Sequence, residues 1–273
     1  MLNLVRMDFY RLFHSKALKV GLIAAAIIAL FGMLLNLGIL ELVKFGFSSD
    51  PETASGVEFL FPIVSWLSGV DFADVVFAGT SSFSLFVSCM IVASFVGAEQ
   101  SCGYVKNIAG QLSNRGMTVV SKFIVTCFVQ LFVLLVYVVV SILCAFMFFG
   151  GYIKTYSIIA LIEGLLIRFL LFCAIDAIVL FFCTLTKSHA IAMVIGAIFG
   201  IGVTGIVYTA ASALLGMVHI SVNVAHFMPD GINGLIGVSN LGTIAVKAII
   251  VSVIFIAAFL FGAIWLFKKR DVK

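Results

Sequence analysis

Charge is what this sequence has least of. In 273 residues, Lys and Arg number 16 and Asp and Glu 12, together 10%. A soluble domain is about 25% charged and about 45–50% apolar, whereas this chain is 63% hydrophobic with 28 Phe. A water-exposed fold of this size could not be covered by so few charged side chains. An ordinary soluble enzyme and a disordered chain are excluded, and a polytopic membrane protein is left. The catalytic signatures are missing too. There is no G-x-x-x-x-G-K-[ST] phosphate loop, so the chain cannot hydrolyse ATP by that route, and there is no H-E-x-x-H and no G-x-S-x-G. The cysteines (89, 102, 127, 144, 173, 183) form no C-x-x-C pair and five lie in apolar runs, which reads as free thiols rather than disulfides or zinc ligands. His14, His189, His219 and His226 are not at metal-ligand spacing, and no metal site is expected. The net charge of +4 reflects Lys and Arg held on one side of a membrane rather than nucleic-acid binding.

Long apolar runs are what the sequence does contain. A bilayer core about 30 Å thick takes about 20 helical residues. Six runs meet this, at 20–40, 75–98, 123–150, 158–182, 190–211 and 243–267. Twelve of the 16 basic residues fall between spans on one side: Arg6, Arg11, Lys16, Lys19, Lys106, Arg115, Lys122, Lys187, Lys268, Lys269, Arg270 and Lys273. This asymmetry places both termini inside. The acids Glu41, Asp50, Glu52, Glu58, Asp71, Asp74 and Asp230 fall on the opposite side. The expected fold is therefore an all-α integral membrane protein with six transmembrane helices and both termini cytoplasmic.

Residues 1–19 read as an amphipathic helix at the inner membrane surface. Leu2, Val5, Phe9, Leu12 and Phe13 share one face of a helical wheel, and Asn3, Arg6, Asp8, Arg11, His14, Ser15 and Lys19 the other. Apolar and basic residues so divided suit the headgroup layer, with Phe9, Arg11, Phe13 and Lys16 as the lipid-contacting set. The outer segment 212–242 is too apolar for a solvated linker and reads as an extracellular hairpin. Glycines of the fifth span, among them Gly196 and Gly200, permit close helix approach.

The fourth span carries Glu163, Arg168 and Asp176. A charge at mid-bilayer costs at least about 2.5–3.5 kcal/mol, so these residues need partners or water. Arg168 and Asp176 are about 12 Å apart along a helix axis, too far for a direct pair. They read either as the lining or gate of a translocation path or as structural contacts to a neighbouring helix or subunit.

The inner loop 99–122 holds the most specific pattern. It runs Glu99-Gln100-Ser101-Cys102-Gly103-Tyr104-Val105-Lys106-Asn107-Ile108, then Ser113-Asn114-Arg115, then Lys122 at the opening of the third span. This resembles the permease subunits of type-2 ATP-binding-cassette exporters, whose loop follows E-x-x-x-G-[TS]-x-[KR]-N-[IL], then S/N-R, then Lys. Glu99, Gly103, Lys106, Asn107, Arg115 and Lys122 match it, with Tyr104 where Thr or Ser is common. The N-terminal Asp8, Arg11, Leu12, Phe13, Ser15 and Lys16 are similar to that family's connecting helix. The closest likeness is to short bacterial permeases of the multidrug or bacteriocin and lantibiotic immunity kind. The resemblance implies a cytoplasmic coupling loop at 99–122 that docks on two copies of a separate ATPase. ATP and Mg would be held by those subunits and no cofactor by this chain. It also implies a second permease subunit, identical or homologous, in a bacterial plasma membrane, and outward movement of a peptide, antibiotic or lipid-like substrate. Three other functions stay open from the residues alone: an ion-gradient-driven transporter using the fourth-span charges, an intramembrane enzyme, and a non-transporting assembly or sensor protein.

Overall fold

The computed structural model describes residues 2–46, 70–80, 82–101, 116–186, 188–217 and 223–269. Within them the chain is a helical bundle with one two-stranded ribbon. The elements are α1 (Leu2–His14), α2 (Lys16–Gly46), β1 (Val70–Asp71), α3 (Phe72–Gly79), α4 (Ser82–Ser101), α5 (Gly116–Phe148), β2 (Ile153–Thr155), α6 (Ile158–Thr186), α7 (His189–Ile201), α8 (Val203–Met217), α9 (Pro229–Asn233) and α10 (Leu241–Lys269). Five helical stretches are long and apolar enough to cross a membrane, and six if the bent pair α7–α8 counts as one. The protein is an all-α membrane protein.

The α3–α4 stretch and α6 are enclosed on most sides, whereas α2 and α10 turn most of their surface outward. The outward residues, such as Ile23, Ile27, Phe31, Val246, Ile250, Val253 and Phe261, are apolar, as a lipid-facing surface requires. Apolar area gives no driving force between helices already in lipid, so association rests on close packing. The glycines show where packing is closest. A Cβ on Gly196 would stand 2.6 Å from the Cβ of Cys89, and one on Gly200 would fall on the backbone of Phe86. The small-residue face of α7 is thus used against α4 of the same chain.

The interior has two apolar clusters. One gathers Leu85, Val92, Val129, Tyr137, Phe172, Ile175 and Val179. The other gathers Phe72, Val75, Phe77, Phe149, Ile167, Leu171 and Ile232. Along α3–α4, α5 and α6 the buried polar residues Thr80, Ser84, Ser141 and Arg168 fall between them.

Several expected boundaries shift, each for a local reason. The first long helix starts at Lys16, so Lys16 belongs to α2 and not to the N-terminal helix. Ser15 makes the break: its hydroxyl donates to Leu12 O at 2.7 Å and accepts from Leu18 N at 3.2 Å, closing one helix and capping the next. The second span begins at Phe72, because Asp71 caps α3 by accepting from Ala73 N, and it is interrupted at Thr80. The third begins at Gly116, so 116–122 of the expected inner loop are helical. The fourth and sixth run on to Thr186 and Lys269. The fifth is not one straight helix: α7 and α8 meet at 70°, at Gly202 with φ +82°, a left-handed conformation that favours glycine. Within the expected outer hairpin, α8 continues to Met217 and is followed by a 3-10 turn at Val224–Phe227 and by α9.

At the ribbon end of the bundle, three aspartates fasten the connections. Asp71 caps α3 and also accepts from Ser157 Oγ at 2.6 Å and Thr155 Oγ1 at 2.8 Å, tying α3 to the start of α6. Asp74 accepts from Val238 N at 2.8 Å. Asp230 accepts from Tyr208 Oη at 2.7 Å and from Thr204 Oγ1, which holds the bent α8 against α9. The acidic residues on the side opposite the basic set thus include three with fixed hydrogen-bonding tasks.

Candidate functional site

The buried charges of α6 are the chemical centre of the bundle. Arg168 is 3% exposed and Asp176 is 0% exposed. Glu163, grouped with them in sequence, is exposed. Five residues before Arg168, it is rotated about 140° round the helix and lies near the helix start. The polar set inside the bundle therefore excludes Glu163.

Arg168 has no carboxylate as its hydrogen-bonded partner among the described residues. Its Nη1 donates to Phe77 O at 2.6 Å, to Thr80 O at 3.0 Å and to Thr80 Oγ1. These are the terminal carbonyls of α3, left open where the helix breaks before α4. A helix end buried in hydrocarbon needs donors of this kind, and the guanidinium supplies them. The guanidinium carbon also lies 5.4 Å from the Phe77 ring centroid, a cation–π distance. Gly164, one turn earlier, makes room for that ring: a Cβ there would approach its Cε1 to 2.8 Å. The partner of Arg168 is thus a broken helix of the same chain, not an ion pair.

Asp176 is in the opposite condition. Cys89 Sγ lies 3.9 Å from its Oδ1, a weak donor at the outer limit of contact. Among the described residues its Oδ2 has no hydrogen-bond partner. The Ser88 hydroxyl lies close enough to act on the carboxyl but makes no well-formed hydrogen bond, and Ser88 Oγ is unpartnered as well. Similar open groups line the buried face of α5: the Gln130 amide, the Tyr137 hydroxyl and the Ser141 hydroxyl. They recur at intervals of seven and four residues, one side of a helix.

A third polar cluster lies where α1 meets α5. Asp8 is 4% exposed and Lys122 is 7% exposed. Asp8 Oδ2 accepts from Ser121 Oγ at 2.6 Å, and Asp8, Arg11 and the Cys183 thiol are the groups acting on the Lys122 ammonium. Phe9 and Phe13 pack edge-on against Phe128 and Phe132 of α5, at 4.8 and 5.9 Å between centroids. The wheel placed Asp8 on the solvated face, but in the fold it points inward. Lys122 is likewise enclosed rather than part of a solvated loop. Arg11 is half-buried and Lys16 exposed.

Of the coupling-loop residues, Glu99 is in the last turn of α4. Gly103, Lys106, Asn107 and Arg115 lie outside the described residues, as does His219. Among the described residues no group of three or more His, Cys, Asp or Glu could hold a metal ion. Sequence reasoning missed Asp8, Ser121, Thr80, Ser88, Gln130, Tyr137 and Ser141. The polar positions recurring within the apolar α5 run were the available signal.

Outside the membrane-spanning helices, the Asp71 carboxyl is titrated by its surroundings. Partial burial pushes its pKa up, but the hydrogen bonds from Ser157, Ala73 and Thr155 outweigh this and hold it below the ordinary value of 3.8. The sequence matches no protein-family model and no curated protein.

Proposed function

We propose that the chain is the membrane-spanning permease of an exporter driven by separate ATP-binding-cassette ATPases, moving an amphipathic substrate outward. In this reading both termini and the segment 102–115 face the cytoplasm. Two ATPase copies bind there, supplying the ATP and Mg2+ chemistry, and a second permease completes the path.

The supporting observation is how that segment is anchored. It leaves α4 just after Glu99 and enters α5 at Gly116. The first turns of α5 are gripped by α1 through Asp8 and Ser121, with Lys122 enclosed beside them. The start of α5, where the segment rejoins the described chain, is thus held to α1. The matching residues Gly103, Lys106, Asn107 and Arg115 fall within the segment so anchored.

The test is isolation of the tagged full chain from its native membrane. An ATP-hydrolysing subunit should co-purify with it. In that complex, Glu99→Ala and Arg115→Ala should lose substrate-stimulated ATP hydrolysis while membrane insertion stays normal. Isolation without any ATPase, or normal coupling in both variants, would overturn the reading.

A further inference from the structure

Asp176, read from the sequence as path lining, gate or structural contact, has surroundings that point to a more specific task. The residue stands in the middle of Leu171–Leu180, ten consecutive residues that are all buried. A carboxyl enclosed in this way ordinarily has a cation or several donors. The groups facing it are few. From α4 come the Ser88 hydroxyl and the Cys89 thiol. From its own helix come Cys173 and, two turns away, Arg168, whose Nη1 is committed to the α3 carbonyls. From α5 comes Cys127, which touches Cys173. Helix α7 carries no charged residue beyond His189 at its start, and α10 carries Lys247, Lys268 and Lys269 near its ends. Among the described residues no charged side chain acts on the Asp176 carboxyl.

The hydrogen-bond arithmetic identifies what is missing. An ionised carboxylate only accepts. Oδ1 has the Cys89 thiol at 3.9 Å, whereas Oδ2 and the neighbouring Ser88 Oγ are both open. The Ser88 hydroxyl could donate to a carboxylate, yet no hydrogen bond forms between them; what an enclosed carboxylate lacks here is a balancing positive charge, and a proton on Oδ2 supplies it. A divalent cation suits the place poorly, since it asks for about six oxygen ligands and the cluster offers three. We propose that Asp176, with Ser88 and Cys89, is an intramembrane proton-binding site that exchanges with bulk water as α4 and α6 move apart. In the loading step hydronium transfers its proton to Oδ2: one O–H bond forms on the carboxyl as another breaks, and a water molecule departs. Unloading is the reverse. The ligand class is a proton, and the consequence is that the packing of α4 on α6 responds to proton supply. The site is independent of the permease reading and would stand or fall without it.

The test is infrared spectroscopy of the purified full chain in lipid vesicles at neutral pH. The wild type should show the carbonyl stretch of a protonated side-chain carboxyl, shifted by exchange into heavy water and missing in Asp176→Asn. Ser88→Ala leaves the carboxyl in place and should move the band, as the polar hydroxyl beside it is removed. That arm decides the matter even if the Asn variant fails to fold. No such band, a band unaffected by both substitutions, or a band that heavy water never shifts would overturn the proposal. A change in the ionised-carboxylate bands on adding sodium at constant pH, lost in Asp176→Asn, would overturn it in favour of a metal cation.

Discussion

Arg168 and Asp176 share a helix, yet their surroundings differ in kind. The guanidinium meets two backbone carbonyls, a hydroxyl and an aromatic face. The carboxyl meets one distant thiol and an unengaged hydroxyl. The first side chain is woven into the architecture, since it closes the end of another helix. The second is tolerated by the architecture without being needed for it. Buried charge alone therefore does not distinguish a structural from a functional residue; the number of satisfied partners does.

Substitutions can sharpen the contrast. Arg168→Leu should be the most damaging. It leaves Phe77 O and Thr80 O in an apolar interior with only the long hydroxyl contacts of Thr80 and Ser84, each at 3.4 Å, at about 1–3 kcal/mol per group, and should abolish recovery of folded protein in detergent size-exclusion chromatography. Arg168→Lys, a point donor without the planar fork, should recover only part of the yield. Gly200→Val comes next, because its side chain would strike the Phe86 backbone. Overpacking of this kind costs about 1–3 kcal/mol and should lower the thermal unfolding midpoint by wedging α7 from α4.

Asp71→Ala should cost about 1 kcal/mol through lost hydrogen bonds, and its effect depends on pH. The folded carboxyl titrates below its ordinary 3.8, so its contribution is complete above that value and drains away as pH falls toward the folded pKa. The stability difference between wild type and Asp71→Ala should therefore be full at neutral pH and shrink below about pH 4. Asp176→Asn should be the mildest, since it breaks no well-formed hydrogen bond and keeps the size of the side chain. A loss as large as that of Arg168→Leu would erase the distinction between the two residues.

The helices were legible because hydrocarbon leaves little choice: uncharged runs of about 20 residues must be helical. Their ends were less so. The stretch from Gly116 to Lys122 carries Thr118, Ser121 and Lys122 and looks solvated in sequence, but its polar side chains are buried near α1. The burial of Asp8 was not legible for the same reason, because a helical wheel assumes that charge faces water. The bend at Gly202 left no sign distinguishing it from the other glycines of its segment. At the candidate site, Arg168 and Asp176 could be picked out from the cost of burying them. The partner of Arg168 could not, since backbone carbonyls at a helix break have no signature in composition. Glu163 was grouped with them as a charge of the same span, and its place near the helix start, where it is exposed, could not be told from the apolar run around it.

The Arg168 contact also imposes an order of assembly. Thr80 and Arg168 are separated by 88 positions. At about 5–20 residues per second of synthesis, the ribosome needs about 4–18 seconds to make the donor after its acceptor. Until then the second hydrophobic segment sits in the bilayer with the end of α3 lacking its principal donor. The second segment is thus a provisional guest in the membrane, and the arrival of the fourth makes its residence permanent. Slowing translation between the two should lengthen the interval in which the nascent chain is open to quality-control proteases.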